Sequence, residues 1–297
     1  MIVILLLACS ADKEAAGPVD SAAPASPVRV VTFGDVHGDV DAARGALKLA
    51  GVIDDSDAWI GGTTQVVQVG DQLDRGDNER EILDLFEDLQ IQALEAGGAL
   101  YPLLGNHEIM NVELDLRYVT EGGFADFADV DYDPDDAALQ AYPAEQRGRV
   151  AAFRPGGEYA MKLSDHRVIL QLEGTIFVHG GVLPEHVDFG IDAINEETSA
   201  WMRGAGSRSA PMVADGAPIW SRHYSDDPDD SDCALLDEVL TMTGAERMVV
   251  AHTIQDDGIN AACGEQVWRV DVGMAAYYGG SPEVLEIIDG ALVVMTE

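Results

Sequence analysis

Near the start of this chain, three short apolar runs alternate with two amphipathic ones, and each apolar run gives way to glycine and polar groups. "VRVVTF" (28–33) leads into "GDVHGD", "TQVVQVG" (64–70) into "DQLDRGD", and "ALYPLLG" (99–105) into "NHE". Between them Val40, Ala43, Leu47 and Ala50 recur at helical spacing, and so do Ile82, Leu85, Phe86 and Leu89. Gly97 and Gly98 are placed to stop the second helix. Asn78 is placed to cap its start, with Glu81 closing a contact like a capping box, and Asp77 reads as a further cap there. A β-α-β-α-β order predicts parallel strands with helices packed on the sheet. Further along, "VILQL" (168–172), "TIFVHGG" (175–181), "RMVVAH" (247–252) and runs at 267–271, 284–288 and 292–295 read as strands, with a helix over 234–243. Residues 112–158 are acidic and irregular and read as a partly helical insertion over the site, and residues 204–232 read as a loop-rich second insertion, in one domain spanning 28–297.

The charge balance narrows the partners. Asp and Glu number 54 against 17 Lys and Arg, for a formal net charge of −37. A phosphate backbone is repelled by such a surface, so nucleic-acid binding is excluded. The three lysines, Lys13, Lys48 and Lys162, are too few and too scattered for a basic lipid-binding patch. A 47% hydrophobic content is ample for a core.

Polar groups directly follow strands at five places: Asp35 with His37, Asp71, Asn106 with His107, His179, and His252. Taken singly, an Asp after a strand is an ordinary turn or cap residue, and a lone His is an ordinary core or surface residue. Taken together they point to a metal centre, because strand ends in α/β folds are where loops converge on a ligand. Carboxylate and neutral imidazole suit borderline divalent ions, and no cysteine accompanies the motifs as a structural zinc site would require. The stretch "GDQLDRGD" then asks why a scarce arginine, Arg75, sits among Asp71, Asp74 and Asp77.

"GDVHG", "GDQLDRG", "GNHE", "VHGG" and "AHTIQDDG" resemble, in order, the signature motifs of phosphoprotein phosphatases within the calcineurin-like metallophosphoesterases. "IWSRHY" and "VWRVDVGMAAYYGG" are more similar to the bacterial Shewanella-like phosphatase branch. The resemblance implies an α/β (α+β) fold, a four-layer αββα sandwich of two mixed sheets flanked by helices. It implies two divalent metal ions, with Mn expected and Fe or Zn as alternatives. Asp35 and His37 would hold the first ion, Asp71 would bridge, and Asn106, His179 and His252 would hold the second. His107 would be the general acid, oriented by Asp74, and Arg75 would hold phosphate oxygens. The implied reaction is hydrolysis of phosphate monoesters, on a phosphorylated protein or a small ester, by a hydroxide between the ions. A phosphodiesterase or dinucleoside polyphosphate hydrolase of the same superfamily is the enzymatic alternative, and a lipid-anchored metal-binding protein without turnover is the other. Leu104 stands where eukaryotic relatives carry an arginine before Gly-Asn-His-Glu, and their C-terminal "SAPNY" is absent, leaving Tyr277 and Tyr278 as stand-ins. Arg222 is the candidate second phosphate clamp, against a salt bridge to the aspartates at 226–232. His223 is placed to line the site beside it, whereas His166 and His186 read as surface residues.

Other signals carry less. "MIVILLLAC" (1–9) resembles a bacterial lipoprotein signal ending at Cys9, without a basic n-region, and an Ala/Ser/Pro-rich tether (10–27) follows. The expectation is export to the cell envelope, with membrane contact only through a lipid on Cys9. Cys233 and Cys263 remain, either bridged or as two buried thiols. The acidic run Asp129–Asp136 lacks the glycine and glutamate that a calcium loop needs at its sixth and twelfth positions, in either register, and reads as a solvated face.

Overall fold

The computed structural model describes residues 28–296, so the leader, Cys9 and the tether lie outside the described residues. Strands β1 (Arg29–Phe33), β2 (Gln65–Gln68) and β3 (Ala99–Pro102) pair in parallel, with Val31 opposite Val66 and Val66 opposite Leu100. The connections are α1 (Val40–Leu49) and α2 (Glu79–Ala96), as the alternating pattern predicts. The second sheet is built from β4 (Ile169–Leu172), β5 (Thr175–Val178), β6 (Arg247–Val250), β7 (Asn260–Ala262) and β8 (Val267–Arg269), in the order β4-β5-β6-β8-β7. The chain then returns to the first sheet with β9 (Val284–Ile288) and β10 (Ala291–Met295), giving the order β10-β9-β1-β2-β3.

The two-residue period of the strands explains the layering. In β5, Phe177 packs in the core shared with Val31 and Val67, so it faces the first sheet. Its neighbours Ile176 and Val178 pack with Ile194, Met202, Leu236 and Val239 from helices on the far side. Val249 and its neighbours Met248 and Val250 repeat the division in β6. On the other flank, Leu47 of α1 and Phe86 of α2 join the inter-sheet core residues in one cluster. The result is helix, sheet, sheet, helix. A single bridge between Leu103 and Arg167 joins the sheets beyond the end of β3.

Several expectations are corrected. Asn78 does precede α2, but its φ of −117° and ψ of 36° are not the extended geometry that lets a side chain cap, and it makes no cap bond. Glu81 instead accepts from Arg44 at 2.8 Å, and Asp77 accepts from the Thr120 hydroxyl. His186 is buried, not at the surface; its Nδ1 accepts from Leu183 N at 3.0 Å, at the start of helix Pro184–Phe189. His166 is half-buried. Strand β7 and helices Pro184–Phe189 and Ile191–Met202 carry no strong periodic signal and were not expected. Cys233 and Cys263 form a disulfide with a Cα–Cα distance of 5.2 Å, tying helix Asp230–Thr243 to the β7–β8 turn.

Candidate active site

Loops after β1, β2, β3, β5, β6 and β8 converge on one cleft of about 280 Å³. Asp35 and His37 follow β1, Asp71 to Arg75 follow β2, and Asn106 with His107 open helix α3 (Asn106–Val112) after β3. His179 follows β5, His252 follows β6, and Asp271 follows β8. Holding these side chains inward demands unusual backbone. His37, Asp71, Asp74, Arg75 and His252 all have φ between 40° and 68°. Left-handed conformations in non-glycine residues cost about 1–3 kcal/mol each and gather where surrounding contacts enforce them.

Two of the motif glycines have steric reasons. A Cβ on Gly70 (φ 87°) would sit 2.7 Å from Gly105 N and 2.9 Å from His179 Nδ1. A Cβ on Gly105 would collide with the Asp71 carboxylate at 2.1 Å. Glu108 fixes the same turn from below. Its carboxylate accepts from the backbone N–H groups of Gly105 (2.7 Å), Asp71 (2.8 Å), Gln72 (2.8 Å) and Leu73 (3.2 Å). Burial, together with Asp71, pushes its pKa up to about 7.

The cluster has more lone pairs than protons. His179 donates Nδ1–H to Val69 O at 2.8 Å, so its Nε2 carries a lone pair in the neutral ring. That Nε2 lies 3.0 Å from Asn106 Oδ1, 3.1 Å from His252 Nδ1 and 3.2 Å from Asp71 Oδ2. His37 donates Nδ1–H to Leu73 O at 3.0 Å and turns Nε2 to Asp35 (3.6 Å) and Asp71 (3.8 Å). Asp35 Oδ1 is buried without a hydrogen-bond partner. Two overlapping groups, His37–Asp71–His107 and Asp71–His179–His252, bring their ligand atoms within 4.8 Å of one another, and both contain Asp71. Such convergence of acceptors fits cations on either side of Asp71, and oxygen and imidazole nitrogen suit borderline divalent metals. The electrostatics agree. Burial opposes ionisation of Asp71, yet the imidazoles of His179, His107 and His37 hold it well below the usual carboxylate range. Burial also opposes charge on His179, but Asp71 and Asp35 raise it to about 9. Burial and the neighbouring His179 lower His252 to about 2, so its ring stays neutral. Burial, with Asp271 nearby, raises Asp35 well above its ordinary value. A proton and a metal ion compete for these same lone pairs.

Above the cluster, His107 Nδ1 meets Asp74 Oδ2 at 2.5 Å, and His107 Nε2 lies 3.8 Å from Asp71 Oδ2. Arg75 and Arg222 both line the cleft, and among the described residues neither is in an ion pair with a carboxylate. Arg75 rests against Tyr118, with Cζ 4.8 Å from the ring centroid, and against Tyr278 at 5.3 Å. Arg222 is anchored by Nη1 to His252 O (3.1 Å) and to Thr253 Oγ1 (2.6 Å), rather than to the aspartates at 226–232. Trp220 packs edge-on against His252 at 5.5 Å and is 43% exposed at the mouth. His223 does not line the cleft; its Nδ1 pairs with Ser221 Oγ at 3.1 Å. Sequence reasoning missed Glu108, Asp271, Tyr118 and Trp220. The signal for Asp271 was present, since it too is a polar residue after a strand.

Residues 28–256 match the sequence family described as calcineurin-like phosphoesterase, and the chain belongs to that family. It is a metal-dependent phosphatase, a hydrolase of phosphoric esters. It is 41% identical over 294 residues to Shewanella-like protein phosphatase 2 of Arabidopsis thaliana, covering 88% of this chain and 75% of that one. It is 30% identical to an uncharacterized Schizosaccharomyces pombe protein, over 88% of this chain and 77% of that one. Among solved structures it is similar to the cold-active protein-tyrosine phosphatase of a psychrophilic Shewanella species. That likeness has a TM-score of 0.71 and 27% identity, and it covers 90% of this chain and 77% of the other.

Proposed function

We propose that this phosphatase hydrolyses phosphate monoesters, with phosphotyrosine and related aryl phosphates as its preferred substrates. The observation that carries the reading is the pair of arginines without carboxylate partners among the described residues, Arg75 and Arg222, which line one cleft with His107, itself held by Asp74. Asp35, His37, Asp71, Asn106, His179 and His252 would hold two divalent cations, with Mn proposed and Fe or Zn as alternatives. Those cations would supply Lewis acidity and a water ionised near neutral pH. The guanidinium forks of Arg75 and Arg222 bind non-transferring phosphate oxygens. A monoester offers enough free oxygens for both forks, whereas a diester spends one on its second ester group. Asp74 holds the proton on His107 Nδ1, and His107 Nε2 delivers a proton to the departing oxygen, worth about 10²–10⁴-fold. Tyr118, Trp220 and Tyr278 line the cleft with aromatic surface on which an aryl leaving group can pack.

The test compares an aryl phosphate monoester, its bis-aryl diester, and phosphotyrosine and phosphoserine peptides, each with and without EDTA. Chelator-sensitive hydrolysis with monoester over diester and phosphotyrosine over phosphoserine supports the reading. Faster diester hydrolysis moves the assignment to a phosphodiesterase. We also propose, from residues 1–27 alone, export with a lipid on Cys9; the Cys233–Cys263 disulfide suits an oxidising compartment. Loss of membrane-fraction protein in a Cys9→Ala variant is the expected result, and unchanged partitioning contradicts it.

A further inference from the structure

Among the described residues, the largest fully buried side chain is Arg149, on helix Arg147–Phe153 within the acidic segment that sequence alone reads as an insertion. An arginine has five N–H donors, and all five of these are used. Nη1 donates to Glu79 Oε2 and to Gly123 O at 2.9 Å, and Nη2 donates to Glu79 Oε1 at 2.8 Å. Nε and Nη2 donate to Asn111 Oδ1 at 3.0 and 2.9 Å. Because the guanidinium only donates, the Asn111 oxygen must face it. The Asn111 amide group must then face the other way, and it donates to Asp74 Oδ1 at 3.0 Å and to His107 O at 2.9 Å. Asp74 N donates in turn to Glu79. With one oxygen taken by Asn111, Asp74 presents the other to His107 Nδ1 at 2.5 Å.

The geometry points to Arg149 as a positioning residue for the proton donor, acting through Asn111 and Asp74 on His107. Arg149 does not line the cleft and touches no substrate. It neutralises Glu79 and the nearby Asp74, whose Oδ1 lies 3.5 Å from Nη2, and it forbids the flipped orientation of Asn111. Without it, Glu79 stays buried without a cation, and the amide is free to rotate away from Asp74. The segment 112–158 thereby contributes to the reaction from beneath the site. This inference rests on the reading of His107 as the acid that protonates the leaving group.

The test uses the full chain with Arg149→Met, Asn111→Ala and His107→Asn, and the double variant Asn111→Ala/His107→Asn. Substrates are 2,4-dinitrophenyl phosphate, whose leaving group needs no proton, and phenyl phosphate, whose leaving group does. Circular dichroism and metal content are measured alongside. The expected result is a fall in kcat of about 10- to 100-fold on phenyl phosphate in Arg149→Met and Asn111→Ala. On the dinitrophenyl ester the change stays within about 3-fold, KM holds, and the double variant is no slower than His107→Asn alone. If Arg149→Met does not fold, Asn111→Ala decides, because it keeps the Arg149–Glu79 pair. Equal losses on both esters, or additive losses in the double variant, overturn the positioning role while the acid reading stands. If His107→Asn itself treats both esters alike, the acid reading fails and the role of Arg149 fails with it.

Discussion

The two sheets contribute two halves of one site, and the halves are held by different means. The first-sheet half, from the loops after β1, β2 and β3, is braced by hydrogen bonds beneath His37, Asp71 and Asp74. Glu108 gathers four backbone N–H groups under Asp71, and Asn111 and Arg149 lie under Asp74. The second-sheet half, from the loops after β5 and β6, has fewer such braces. His252 Nε2 has no hydrogen-bond partner, and Arg222 is itself exposed, between the buried residues Ser221 and Tyr224. Its support lies further out, in the Cys233–Cys263 disulfide and in the histidine-capped helix after β5. The difference suggests a division of labour. Under the proposed mechanism, the half that fixes a proton and a shared carboxylate is held by direct hydrogen bonds, and the half that meets substrate is held mainly through its elements.

Substitutions sharpen that comparison in order of expected effect. Asp71→Asn removes the carboxylate common to both acceptor groups. It should lower kcat by about 10³-fold or more, with metal content falling in parallel by elemental analysis. His107→Asn should lower kcat by about 10²–10³-fold while metal content stays near wild type; loss of both ions there would contradict the role given to His107. In the second half the expected losses are of stability. The disulfide closes a loop with a sequence separation of 30. Replacing both cysteines by serine should cost about 3–4 kcal/mol in urea denaturation, with kcat at low temperature nearly unchanged.

His186 gives the next step. Burial lowers its pKa to about 4, and its Nδ1 must stay unprotonated to accept from Leu183 N. Between pH 6.5 and 4 the unfolded chain therefore binds the proton and the folded chain does not. The stabilisation is full above about 6.5, the unfolded value, and is lost as pH falls through about 4. Unfolding free energies at pH 7 and 4.5 should differ by about 2–3 kcal/mol less in His186→Gln than in wild type. An unchanged pH slope would break this part of the comparison. The smallest effect is expected at the mouth. Arg222→Ala should raise KM for an aryl phosphate about 10-fold with kcat within a few-fold, whereas a collapse of kcat would place Arg222 with the braced half.

The same division governs what was legible in the sequence. The braced half advertises itself locally. Strand period, the glycines forced by Asp71 and His179, and polar residues directly after each strand lie within a few positions of one another. The resemblance of the five motifs then covers the metal-site residues and His107. What stayed hidden depends on partners remote in sequence. Arg149 meets Glu79 across 70 residues, and nothing near either residue announces the pair. Glu108 sits inside "GNHE", yet its work is to hold backbone 35 to 37 residues away. His186 looked like a surface residue because its burial comes from packing rather than from any apolar period of its own. Asn78 has the composition of a cap but not the backbone angles of one.

The central claim is that loops from both sheets build one two-cation centre around Asp71. The most direct test is to strip the protein with chelator, reconstitute it with manganese, and count metal per chain in wild type and in His179→Asn by mass spectrometry. The account predicts two ions per chain in wild type, and one with little activity in the variant. Full activity with one ion or none, or two ions retained in His179→Asn, would contradict it.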